Sequence, residues 1–111
     1  MIAPDEISKV QQEKILVPAP PGVPAGLVTN YVNRCLAALP VAVTALNQLD
    51  YGHMRVLGHR LRGSGGAYGI PVLTEIGLVM EEAALRGDTA ELRGQLAALE
   101  AYLRRVEILP D

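Results

Sequence analysis

The sequence predicts an all-α fold: an antiparallel four-helix bundle with an N-terminal extension. Three observations carry this expectation. Apolar residues recur at three- and four-residue spacing through four segments after Pro24. Cap and stop signals separate those segments by short connections, which favours antiparallel neighbours. No segment sustains the period-two alternation of a half-buried strand. A chain of 111 residues is most simply one domain with one modest core. It is 50% hydrophobic and 20% charged, which excludes a disordered chain. With four Tyr, no Phe and no Trp, its core must be built from Leu, Val, Ile and Ala, which suits close-packed helices.

Residues 1–21 are expected to form an N-terminal arm or linker, and residues 22–111 the bundle domain. A short polar stretch, at most a helical turn or two, leads into KILVPAPPGVP. Pro18, Pro20, Pro21 and Pro24 prevent a continuous helix there. The arm is either a free tail or packed on the bundle through Ile15, Leu16 and Val17. Pro24 suits a first helical turn, and Leu27, Val28, Tyr31 and Val32 follow at helical spacing. The apolar positions then shift to Leu36, Leu39, Val43 and Leu46, so Asn30 or Asn33 is a candidate break. Pro40 implies either a new helix start or a kink. Asp50 is an N-cap candidate for a helix over about 51–68, with Gly69 as its stop. Pro71 opens the next helix, whose apolar positions are Val72, Leu73, Ile76, Val79, Met80 and Ala83, and Gly87 ends it. Asp88-Thr89-Ala90-Glu91 has the form of a capping box. The last helix runs to about Val106 on a stripe of Leu92, Leu96, Leu99, Leu103 and Val106.

The net charge of −2 argues against a broad nucleic-acid footprint, so no nucleic-acid partner is expected. Cys35 is the only cysteine, which excludes an intramolecular disulfide and a cysteine metal cluster. The N-terminal residues carry charges where a signal peptide needs an apolar stretch. The run from Cys35 to Leu46 is broken by Pro40 and Thr44 and is far short of about 20 residues. A soluble, cytoplasmic monomer with no membrane partner is the expectation.

The segment 51–69 reads YGHMRVLGHRLRGSGGAYG. With His59 at the front of a helix, Met54, Leu57, Leu61, Ser64 and Tyr68 lie within about 40° of the back. His59 therefore points away from the core. Gly52, Arg55, Arg62, Gly63 and Gly66 lie within about 60° of it. Gly58, Gly63, Gly65 and Gly66 each cost about 1 kcal/mol relative to alanine in a helix interior, a cost that folding does not need, and the physical use of such a residue is close approach by another backbone or a bulky group. Taken alone, a surface histidine usually has no chemical role. One set among glycines with Arg62 a turn away suits an anionic phosphoryl group. A Walker loop is rejected, because no Lys follows the second glycine and no strand precedes the loop.

His59-Arg60-Leu61-Arg62-Gly63-Ser64, followed by Gly69, resembles the H-x-L-K-G-S signature of histidine phosphotransfer (HPt) domains. The resemblance extends over about residues 22–107. Val23 through Arg34 is similar to the family's opening helix, Ile70 to Asp88 to the helix after the phosphorylated one, and Leu96 to Val106 to the closing helix. It implies that His59 accepts a phosphoryl group from, and donates it to, the aspartate of receiver domains in a two-component phosphorelay. Such a chain is a phosphoryl-group carrier rather than an autonomous enzyme. Its partners would be response-regulator receiver domains and a hybrid sensor histidine kinase. Magnesium is expected on the receiver, with no cofactor or metal site in this chain. Arg62 would stabilise phosphate, and Arg55, Gly63 and Gly66 would line the docking face. Two positions depart from the signature. Arg62 replaces the usual Lys, which keeps charge but not geometry, and Gly65 follows the serine.

An alternative is a degenerate HPt-like adaptor that binds a receiver or kinase without transferring phosphate. The intact His59-x-x-Arg62-Gly63 favours transfer. The helix-breaking glycines disfavour a generic helical interaction domain. His53 lies about 120° around the helix from His59, so the two cannot share a metal. Cys35 reads as a small buried hydrophobe. Glu81, Glu82, Glu91 and Glu100 read as solvated helix faces, and Arg104 and Arg105 complement a helix C-terminus.

Overall fold

The computed structural model describes residues 13–111. Four helices pack against one another: α1 (Ala25–Asn47), α2 (Tyr51–Ser64), α3 (Pro71–Arg86) and α4 (Thr89–Arg105). Two three-residue strands complete the described chain, β1 (Ile15–Val17) and β2 (Val106–Ile108). Residues 1–12, most of the expected polar stretch, lie outside the described residues.

Local chemistry sets the helix boundaries. Asp50 accepts a hydrogen bond from the His53 amide, and Asp88 accepts one from the Glu91 amide; each satisfies an otherwise orphaned donor in a first turn. Pro71 stands at the start of α3. Gly87 ends it at φ +65°, a left-handed conformation that a β-carbon would strain. α2 stops at Ser64, four residues short of the expected boundary. Tyr68 therefore sits in the turn before Gly69 rather than on the helix.

α1 runs unbroken through Asn30, Asn33 and Pro40. Pro40 is exposed, so its ring, which removes one helix hydrogen bond, stands on the outer face of α1 rather than in the core. The buried stripe of α1 is Val28, Tyr31, Val32, Leu39, Ala42, Ala45 and Leu46. Leu27 and Val43, expected inside, are exposed, because one continuous helix keeps a single inward face.

α2 packs most closely on α3, α3 on α4, α4 on α1, and α1 more sparsely on α2. The core between them includes the fully buried Leu46, Met54, Leu73, Met80, Leu92, Leu99 and Leu103, each contributing about 1.5–3 kcal/mol by leaving water.

The strands were not anticipated. β1 and β2 pair in parallel, with Ile15 opposite Val106 and Val17 opposite Ile108. Runs of three residues are too short to display an alternation in the sequence. Further contacts link the two ends of the described chain. Arg105 Nε donates to the Glu13 carbonyl at 2.8 Å, and the Ala25 amide donates to the Asp111 side chain at 2.9 Å. The carboxylate of Asp111 thus lies on the first turn of α1, where the helix dipole favours negative charge.

Candidate functional site

Glycine sets the distance between α2 and α3. A β-carbon at Gly58 would lie 2.7 Å from the Glu81 amide nitrogen and 2.8 Å from the Gly77 carbonyl oxygen. One at Gly65 would lie 2.6 Å from the Thr74 amide nitrogen, and one at Gly77 would run into the backbone of Gly58 and Arg62. The contacts descend α3 as they ascend α2. Gly58 and Gly65 therefore serve the fold, correcting the reading that folding does not need them: α3 of the same chain makes the close approach. Gly63 has nothing within 4 Å of a would-be β-carbon, and Gly66 meets only the Thr74 hydroxyl, at 3.6 Å. Those two, with Gly52 and Arg55, are exposed.

The close approach brings α3 under His59. The imidazole is 63% exposed, and its Nδ1 lies 3.3 Å from Glu81 Oε1. Glu81 is only 15% exposed and is not the solvated residue that the sequence suggested. Its other oxygen, Oε2, lies 3.2 Å from Arg62 Nη1. Oε2 is shielded from water and has no aligned hydrogen-bond donor among the described residues, so its link to Arg62 is one of charge. One carboxylate thus bridges the histidine and the arginine. A carboxylate accepts hydrogen bonds, so neutral His59 meets it as the Nδ1–H tautomer, and the Nε2 lone pair is then the free one. Leu78 and Leu85, both exposed on α3, stand one turn to either side of Glu81.

The back of α2 agrees in part with the helical arithmetic. Met54 and Leu61 are buried, as expected, while Leu57 and Ser64 are half-buried. The Ser64 hydroxyl donates to the Arg60 carbonyl and shares a 2.7 Å hydrogen bond with the Tyr31 hydroxyl. Tyr31 stacks on Tyr68 with ring centroids 4.1 Å apart. Burial raises the Tyr31 hydroxyl from 10.0 to about 12, against a smaller lowering by the Ser64 hydrogen bond. Cys35 is half-buried, and burial pushes its thiol up as well. His53 is half-buried at the start of α2. Among the described residues no group of three or more His, Cys, Asp or Glu side chains could hold a metal ion, and no helix is long and apolar enough to cross a membrane.

Glu81 is the site residue that the sequence did not reveal. Its signal was available only as spacing: Gly58 and Gly77 mark where two helices touch, and Glu81 lies one turn beyond Gly77. Comparisons with protein-family models, with curated proteins and with solved structures found no match.

Proposed function

We propose that this chain is an HPt-like phosphotransfer module of the cytoplasm, an antiparallel four-helix bundle in which His59 carries a phosphoryl group between receiver domains. The observation that carries the reading is the triad of an exposed His59, an Arg62 one turn on, and a shielded Glu81 behind Nδ1. An adaptor needs an exposed surface but has no use for an imidazole oriented by a carboxylate.

The chemistry balances with the groups present and an aspartyl phosphate from the partner. The Nε2 lone pair attacks phosphorus; the N–P bond forms as the P–O bond to the receiver's aspartate breaks, and that aspartate leaves as carboxylate. No proton has to move. Nδ1 keeps its hydrogen toward Glu81, whose charge offsets the positive charge that the ring acquires. Arg62 turns from Glu81 to the phosphoryl oxygens. Magnesium belongs to the receiver. Gly63 and Gly66 leave the approach open, with Arg55, Leu78 and Leu85 at its margin. Ser64 would give a stable ester, and its hydroxyl is engaged with Tyr31 and Arg60.

The test is incubation with phosphorylated receivers, followed by locating the transferred phosphate. Wild type acquires an acid-labile, alkali-stable label, His59→Gln acquires none, and His53→Gln labels normally. Acid-labile label on His59→Gln would overturn the mechanism, and a wild type that takes no label would favour the adaptor.

A further inference from the structure

α2 has three flanks. His59 occupies the open one, and Gly58, Leu61 and Gly65 face α3. The third lies roughly 60–160° around from His59 and faces α1 across a groove. His53, Val56, Leu57 and Arg60 line its α2 wall, and Arg34, Cys35, Ala38 and Val41 its α1 wall. Spaces of about 360 and 550 Å³ share Ala38, Leu57 and Arg60, and a third of about 410 Å³ continues past Val41 and His53 to Gln48. From Tyr31 to Gln48 the groove follows α1 for about 25 Å at 1.5 Å per residue.

Its lining is apolar along the middle and basic at one end. Val41 is 57% and Val56 41% exposed, although both stand in a concavity. Arg34 and Arg60 stand on opposite walls beside Tyr31 and Tyr68. Neither pairs with a carboxylate among the described residues. Arg34 is held in place, with Nη2 donating to the Tyr68 hydroxyl at 3.5 Å and its guanidinium 5.9 Å from the Tyr31 ring centroid. Asp50 lies further along the groove, where it caps α2.

We propose that this groove docks an amphipathic helix of a partner protein, its apolar stripe on Ala38, Val41, Val56 and Leu57 and its carboxylates on Arg34 and Arg60. A cleft between two helices of this length accepts a third helix, whose ridge of side chains removes the exposed valines from water. Two guanidiniums without counter-charges among the described residues select an acidic flank over a basic one. The groove lies on a different flank of α2 from His59, so its occupation leaves the imidazole open, and the proposal stands independently of phosphotransfer.

The test titrates the isotope-labelled full chain with a synthetic helical peptide of about 16 residues, long enough to span the groove. The peptide carries leucines along one face and glutamates on both flanks, and a matched peptide carries lysines in their place. Saturable amide shifts confined to the groove, around Ala38, Val41, Val56 and Leu57, are expected. Binding should weaken by roughly tenfold or more with the lysine peptide, and likewise in Arg34→Gln/Arg60→Gln. Val41→Asp should remove it while circular dichroism reports an intact fold. The proposal is overturned by no saturable shift at about millimolar peptide, by equal binding of the two peptides, or by shifts centred on the His59 face. It is also overturned if the groove signals move with protein concentration alone, which would assign it to a second copy.

Discussion

His59 takes its orientation from a carboxylate on another helix. Glu81 meets Nδ1 at 3.3 Å and Arg62 at 3.2 Å, so Arg62 and Glu81 have separate expected signatures. Arg62→Ala should slow transfer by about ten- to a hundredfold, the worth of one charge-assisted hydrogen bond, with the circular dichroism spectrum unchanged. Arg62→Lys should keep most of the rate, because it keeps the charge. Equal rates for Arg62→Ala and wild type would remove Arg62 from the site. Glu81→Gln should shift the neutral ring toward a mixture of tautomers, read from the ¹⁵N shifts of His59, since an amide both donates and accepts. Cys35 carries a different expectation. Burial raises its thiol, so near pH 8 it should alkylate more slowly in the folded chain than in denaturant. Equal rates would place the thiol in water.

The contact between α2 and α3 explains why the elements were legible in the sequence and the site only half so. Caps are local chemistry. Asp50, Pro71, Gly87 and Asp88 announced helix ends that the structure bears out. The leucine stripe of α4 was equally plain, since a helix shows its inward face in its own spacing. Register between two helices is not local. Nothing in residues 51–69 says which residue of α3 lies beneath His59, so Glu81 was read as solvated and Gly58 and Gly65 as glycines that folding does not need. The two kinds of glycine separate by substitution. Gly58→Ala places a β-carbon against the Glu81 and Gly77 backbone and should cost about 1–3 kcal/mol by overpacking. Gly63→Ala meets open space and should gain up to about 1 kcal/mol in helix propensity. Denaturant unfolding of both variants decides, and a Gly58→Ala as stable as Gly63→Ala would refute the close packing. Gly63→Leu should also keep the helix yet block receiver docking. Normal transfer by that variant would require another account of the open glycines.

Across the whole molecule, the strand pair and Asp111 tie the two ends of the described chain to the bundle, and Tyr31 joins α1 to α2 through Ser64. Asp111→Ala should cost about 1 kcal/mol, because it removes a carboxylate from a helix N-terminus; an unchanged melting temperature would show the contact to be idle. Alkali should loosen the fold by a related route. Burial holds the folded Tyr31 hydroxyl at about 12 against its ordinary 10.0, so above pH 10 the unfolded chain loses a proton that the folded chain keeps. The stability tied to that proton is complete below pH 10 and is lost as pH rises toward 12. Tyr31→Phe should flatten the alkaline limb of a stability–pH curve, and an unaltered limb would place the loss elsewhere. The proposed function rests on one asymmetry that the bundle holds: an exposed imidazole with its Nδ1 on a shielded carboxylate. Its most direct measurement is a two-bond ¹⁵N–¹H correlation spectrum of the chain phosphorylated by a receiver. Phosphorus is expected on Nε2 of His59, with hydrogen retained on Nδ1. Phosphorus on Nδ1, or on any other side chain, would contradict the account.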